Sequence, residues 1–270
     1  MPDRPAGSST AAGSSKTLDK ALTLLRFVVM RGEALALADV ARETGLPKPT
    51  LHRLLGVLAA HGLVRLDRDG RYHPGPVLLV YGTAYLGSTD LRRESLDLLA
   101  ELMSATGETA HLGVLQPPNV VYVEKVESPQ AVRMHSTIGG LSPIHSTGLG
   151  KAMLAHSNPG VIDVELRRPL ERRTDKTITD AALLREELEV IRSRGYAIDD
   201  IENEEGIRCV GAPVFDHQGE MIGGVSVAGP DTRVTPAAAD EIAPIVVDVA
   251  VRLSRRLGYA GTLPATSPRR

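Results

Sequence analysis

The stretch GLPKPTLHRLL, Gly45 to Leu55, sets two signals against each other. Prolines 47 and 49 oppose a helix interior, yet Leu51, Leu54, Leu55 and Leu58 fall at the i, i+3, i+4, i+7 spacing of one apolar helix face. The conflict disappears if a helix begins at or just before Pro49. A proline in the first turn loses no hydrogen bond, because its missing N–H has no intrahelical acceptor, and Pro47 then lies outside and stiffens the turn. On a helical wheel Pro49, Arg53, Gly56 and Ala60 lie opposite the leucines, with Thr50 and His52 on the shoulders. A solvated face ordinarily carries Glu, Lys or Gln, and a mid-helix glycine costs about 0.5–1 kcal/mol relative to alanine. A face kept this small implies close approach to another body.

The surroundings of that helix suggest which body. A helical pattern over Leu18–Met30 has Leu18, Leu22, Leu25 and Val29 on one stripe and Gly32 as its stop. A shorter one covers Leu37–Thr44 and ends at Gly45, although Ala36 stands where an N-cap hydroxyl is expected, a loss of about 1 kcal/mol. After it, LVRLDRDGRYHPG (63–75) reads as a hairpin around Asp69-Gly70. Three helices and a ribbon make a winged helix-turn-helix over residues 16–76. The major groove of double-stranded DNA admits such a helix by its N-terminal end, where Lys48, Thr50 and Arg53 stand with His52 beside them. Arg65, Arg68 and Arg71 on the wing would meet phosphates. The same module docking on a protein is the alternative.

Composition sets the frame. With 270 residues, 42% of them hydrophobic, the chain can fill two ordinary domains. Its net charge of −2 divides unevenly: residues 1–75 hold 11 Lys/Arg against 7 Asp/Glu, and residues 76–270 hold 20 against 26. The front is basic and the remainder acidic, as suits a nucleic-acid partner for the first domain only. A single cysteine excludes an internal disulfide, and no Cys/His cluster has zinc spacing, so no metal or cofactor is expected. Neither an apolar run of 18 residues nor a signal-peptide h-region is present, which points to a cytoplasmic protein without a membrane partner. The Pro/Ser/Gly-rich segments 1–15 and 260–270 read as disordered tails.

Residues 77–89 read as a linking helix. In the second domain, 90–259, helices are predicted near 90–106, 148–156, 180–194 and 236–257. Strands are predicted near 109–116, 119–127, 131–136, 196–200, 208–215 and 221–228, giving an α/β domain with a largely antiparallel sheet. Glycines at the head of the helix in HSTGLGKAML (145–154) leave backbone N–H groups near Gly148, Leu149 and Gly150 that could receive an anion. Asp199, Cys209 and Ser226 lie in or beside strands of otherwise apolar content, the sparse polarity a ligand pocket needs. Plainer readings exist for each: a cysteine that fills core, a serine bonded to backbone, an aspartate in a turn, a loop that is only tight.

An enzyme reading is weaker. GVSVA (224–228) nearly spells the nucleophile elbow, but Ala228 replaces its second glycine and no helix follows directly. In HSTGLGKA, His145 and Ala152 break the phosphate-loop pattern. His111 and His145 are candidate bases without an evident nucleophile, and no catalytic residue is assigned.

The sequence closely resembles the IclR family of bacterial transcription regulators over roughly Leu18–Leu257. The resemblance rests on LADVARETGLPKPTLHRLLGVLAAHGLV and GRYHPGP in front, and on SPIHSTGLGKAMLA, RRTDKTITD, RGYAIDDIENEEGIRCVGAPVFD and GGVSVAGP behind. It implies an α+β chain: an N-terminal winged helix-turn-helix domain and a C-terminal α/β GAF-like effector-binding domain, joined by a linker helix. It further implies a homodimer or dimer of dimers on a pseudo-palindromic operator, repressing or in some members activating, in response to a small organic-acid effector. The positions matching Asp199, Cys209 and Ser226, with amides of the TGLGK loop, line the effector pocket in relatives. Two departures stand out: Pro49 where a small Ser or Ala is usual, and Ala228 where some relatives have a small polar residue. The second favours an effector with more apolar body. A small-molecule hydrolase remains the alternative of another class.

Overall fold

The structure, a computed structural model, describes residues 15–88 and 90–261. The expected tails lie outside it except for Ser15, Ala260 and Gly261. The chain divides into two compact units between Ser88 and Thr89.

The first unit has helices α1 (Lys16–Arg31), α2 (Leu37–Thr44), α3 (Lys48–Ala60) and α4 (Val77–Ser88) and strands β1 (Leu35–Ala36), β2 (Val64–Leu66) and β3 (Arg71–Pro74). Helix α3 starts as its sequence demands: Pro47 is the N-cap at φ −60°, ψ 138°, and Pro49 sits in the first turn. Leu51, Leu54, Leu55 and Leu58 are all buried, against Leu24, Val28 and Val40. Each such side chain contributes about 1.5–3 kcal/mol through burial. Gly45 closes α2 at φ 66°, a left-handed conformation that favours glycine.

The structure corrects three expectations in this unit. The buried stripe of α1 is Leu24 and Val28, whereas Leu18 and Leu22 are more than half exposed. The missing cap at Ala36 is offset by tertiary pairing, because Leu35 and Ala36 form a strand against Tyr72 and Arg71 of β3. The wing turn is longer than the Asp69-Gly70 dipeptide: Asp67 Oδ1 accepts from the backbone N–H of Asp69 and Arg71, and only Gly70 takes positive φ.

The second unit has one six-stranded antiparallel sheet. Its strands are β4 (Thr109–Gln116), β5 (Asn119–Val126), β6 (Leu141–Pro143), β7 (Ala197–Asp200), β8 (Ile207–Phe215) and β9 (Met221–Pro230), in the order β6-β5-β4-β9-β8-β7. Helices α5 (Asp90–Thr106), α6 (Gly148–Ala155), α7 (Pro159–Leu166), α8 (Ala181–Arg194) and α9 (Pro236–Arg256) cover it. Adjacent glycines of β9 show how the two faces are used. A Cβ on Gly224 would meet Leu149 of α6 at 2.8 Å, and one on Gly223 would meet Leu91 of α5 at 2.9 Å. Neighbouring residues of a strand face opposite ways, so α6 packs on one face and α5 on the other. The segment 131–136 is irregular rather than a strand, and β1, β6 and α7 have no counterpart among the elements expected from the sequence.

Candidate functional site

On the outer side of α3, Lys48, Pro49, His52, Arg53, Gly56 and Ala60 are all exposed, and Thr50 is half-buried. A Cβ on Gly56 would meet nothing within 4 Å, so this glycine answers no internal packing demand. Arg65, Arg68 and Arg71 are exposed on the wing. Among the described residues no side-chain ion pair or hydrogen bond engages Lys48, His52, Arg53, Arg65, Arg68 or Arg71. Other cations of this unit are mixed: Arg31 pairs with Glu43, Arg42 with Asp39 and His73 with Asp67, while among the described residues Lys16, Lys20 and Arg26 of α1 have no side-chain partner either. Unpaired cations flanking a face of small side chains suit a polyanion with a groove.

In the second unit, Asp199, Cys209 and Ser226 are brought together on the sheet face beneath α6. Asp199 pairs with Cys209 across β7 and β8, Gly211 with Ser226 across β8 and β9, and Ser226 with His111 across β9 and β4. All of these side chains are buried, Asp199 at 3% exposure and Ser226 at 1%. Helix α6 reaches the sheet because the contact is glycine on glycine: a Cβ on Gly211 would stand 2.8 Å from the Gly148 backbone, and one on Gly148 3.1 Å from Cys209 Sγ. This close approach aims the Gly148 and Leu149 N–H groups at the Cys209 sulfur, which also hydrogen-bonds Ser226. The Gly150 N–H is not free as expected; it donates to the capping hydroxyl of Thr147 at 3.1 Å.

Burial governs the electrostatics. It pushes the Cys209 thiol up to about 12, helped by nearby Asp199, so the group stays a neutral thiol. Burial raises Asp199 to about 7, against the N–H groups of Glu202 and Asn203 that donate to its Oδ1 at 2.6 and 3.3 Å. His111 is pushed down to about 3, again by burial first and by Lys125 second, and is a neutral imidazole. The Tyr122 hydroxyl is raised to about 12 by burial. The cluster is therefore neutral apart from Asp199 and rich in donors, a setting for an anionic or carbonyl oxygen.

Several groups of this site carry no signal in the sequence alone. Lys151 of the TGLGK loop, 1% exposed, makes an ion pair with Glu202 in the turn after Asp199. That turn carries Ile201 at φ 65° and is held by Thr174 and Thr177, whose hydroxyls donate to the carbonyls of Ile201 and Glu202 at 2.6 Å each. The threonines of RRTDKTITD thereby acquire a role that the motif itself does not announce. The chain marks His111 only as a candidate base; its position opposite Ser226 depends on a strand pairing that no local pattern signals. Cavities of about 600 and 300 Å³ lie elsewhere, and one of about 310 Å³ adjoins the turn after Asp199, bordered by Glu202, Asp200 and Arg208. No helix among the described residues is long and apolar enough to cross a membrane.

Two family models match the chain. Residues 17–68 match the IclR helix-turn-helix domain, and residues 83–255 match the C-terminal domain of bacterial transcriptional regulator IclR. The HTH-type transcriptional regulator BhcR of Paracoccus denitrificans is 38% identical over 245 residues, 90% of this chain and 88% of that one. The transcriptional repressor IclR of Escherichia coli is 32% identical over 255 residues, 93% and 92% of the two chains. The crystal structure of Thermotoga maritima IclR is similar at 36% identity and a TM-score of 0.67, covering 91% of this chain and all of that one. With its helix-turn-helix in front and its α/β effector-binding domain behind, the chain belongs to the IclR family of bacterial transcriptional regulators.

Proposed function

We propose that the protein is a cytoplasmic repressor that binds a pseudo-palindromic operator as a homodimer or dimer of dimers. Lys48, Thr50, His52 and Arg53 of α3 read base edges, and Arg65, Arg68 and Arg71 hold phosphates of the same half-site. The observation that carries this reading is the row of exposed cations without protein partners around a helix face kept small by Gly56 and Ala60. Repression follows the repressors named among its relatives; activation is the other sign the same machinery allows.

A small organic acid in the second unit modulates that binding. Its carboxylate lies at the start of α6, taking the Gly148 and Leu149 N–H groups over from the Cys209 sulfur, with Asp199, Cys209 and Ser226 around it and the Gly150 backbone closing the loop. An acid that binds one state of the dimer better shifts the population competent for the operator.

Mobility shift on the DNA flanking the gene tests the first half. Arg53→Ala should abolish sequence-specific retardation and leave the oligomeric state unchanged; specificity equal to that of the wild type would refute the role of α3. A hydrolase is favoured by one feature, the cross-strand placement of His111 beside Ser226. Against it, His111 is engaged with Ser136 at 2.8 Å and Ser226 with Cys209, and Ser226 lies mid-strand rather than at an elbow. Product formed from a bound ester would reinstate that reading.

A further inference from the structure

An acid sits at the centre of the wing, between the arginines assigned to phosphates. Asp67 stands within four residues of Arg65, Arg68 and Arg71, yet among the described residues it makes an ion pair with none of them. Its carboxylate is turned on the hairpin itself. Oδ1 accepts the backbone N–H groups of Asp69 and Arg71 at 2.9 Å each, and Oδ2 lies 2.7 Å from His73 Nε2. The backbone closes the same loop: the Asp67 N–H donates to the Arg71 carbonyl at 2.9 Å and the Gly70 N–H to the Asp67 carbonyl at 3.2 Å. His73, and after it the Arg71 N–H, hold the carboxyl below the usual carboxylate range, so the group is an ion. Tyr72 anchors the base of the hairpin, being buried and paired with Leu35 on one side and Leu66 on the other. Alternation along β3 then turns Arg71 and His73 away from the core, and His73 pairs with Arg65 across β2.

A carboxylate beside a phosphate backbone opposes binding by like-charge repulsion, so this position is unfavourable unless the acid does something else. Three hydrogen bonds on one side chain fix the tip before DNA arrives, and a fixed tip spares the loop its ordering entropy on binding. Engaged in this way, the carboxylate also leaves the exposed guanidiniums of Arg68 and Arg71 without an intramolecular ion pair among the described residues. We propose that Asp67 is a positioning residue for operator binding, which holds the wing tip in the shape that delivers Arg68 and Arg71 to phosphates of the half-site. His73 is the partner that orients it. The inference rests on the wing contacts proposed above and adds the group that sets them.

Affinity of the full chain for the duplex flanking the gene, titrated against KCl, reads the wing directly. The slope of log K against log[KCl] is about −0.9 for each phosphate contact. Arg68→Ala combined with Arg71→Ala should make that slope shallower by at least one contact. Asp67→Ala should bind about tenfold more weakly, the equivalent of ordering one more residue, with a slope shifted in the same direction. Its preference for the operator over a scrambled duplex should stay that of the wild type, because α3 is untouched. Added to the arginine pair, Asp67→Ala should weaken binding no further, since it acts through them. Asp67→Asn keeps an oxygen for the two N–H groups and should restore most of the affinity. Full additivity would overturn the proposal. So would a gain in affinity shared by Asp67→Ala and Asp67→Asn, which would mark the carboxylate as a source of repulsion only. If the arginine variant keeps the wild-type slope, the wing contacts fail and this inference with them; if only Asp67→Ala keeps it, this inference alone fails. Should Asp67→Ala not fold, amide exchange in the DNA-free wild type decides. The Asp69 and Arg71 N–H groups must already be protected there, and exchange at the rate of an open chain would rule the fixed tip out.

Discussion

Asp199 titrates near neutrality, at a pH where most aspartates are long since ionised. Burial raises it from 3.8 in a free chain to about 7, and the consequence for stability has a definite sign. Between those values the folded state holds a proton that the unfolded state has lost, so the contribution of Asp199 falls as pH rises through that window. It is full below the lower value and at its minimum above the upper one. Asp199→Asn keeps the oxygen that accepts from the Glu202 and Asn203 N–H groups and removes the titration. Urea unfolding of the two proteins between pH 4 and 8 should show the variant gaining on the wild type by about 1.4 kcal/mol per pH unit, then levelling near neutrality. Parallel profiles would mean that Asp199 is ionised in the fold. His111 acts in the opposite direction: pushed down to about 3, it supports the fold above its free value of 6.5 and withdraws that support as pH falls.

Helix α3 shows how an element can be built for two masters. Its leucines are fixed by the core of the first unit, whereas Gly56 on the opposite face has open space around it and helical, negative φ. Gly56→Ala should therefore stabilise the isolated protein by about 0.5–1 kcal/mol in thermal unfolding. Gly56→Gln should fold as well as the wild type yet bind operator DNA at least tenfold more weakly, because a long side chain stands where the groove must come close. A Gln variant with full affinity would show that the glycine does not serve the groove. Helix α2 illustrates the opposite economy: lacking a cap at Ala36, it starts correctly because β3 fixes the two residues before it.

At the scale of the whole molecule the unspent surface is apolar. Helix α4 carries no charged residue, and Leu79, Val80 and Tyr81 are 75%, 62% and 59% exposed. On α1, Leu18 and Leu22 are 56% and 53% exposed although they occupy a regular stripe. On the dimer proposed above, a second copy of the chain is expected to cover these residues. Sedimentation of the wild type should give a multiple of 28.8 kDa, twice or four times, and Leu79→Glu with Val80→Glu should lower that mass and weaken operator binding. An unchanged mass would place the interface elsewhere.

The apolar spacing of Leu51 to Leu58, the positions of Gly32, Gly45 and Gly195 and the strand patterns of the second half determine the elements, because helix and strand periods and left-handed stops are local properties. They also place α3's small outer face and its cations, which follow from one helix alone. Other features needed the tertiary structure. The buried stripe of α1 is not legible in the chain because several registers of its leucines are equally apolar, and only packing against α3 chose Leu24 and Val28. Strand β1 is two residues long and exists only through its partner β3. Asp199, Cys209 and Ser226 are legible as small polar residues in apolar strands, but their meeting depends on the register of the neighbouring strands β7, β8 and β9, and His111 joins them only through the β4-β9 pairing, whose partners lie more than a hundred positions apart. The same pairing brings His111 to Ser226 and leaves one ring nitrogen unused, a fact about three-dimensional neighbours that no spacing along the chain encodes.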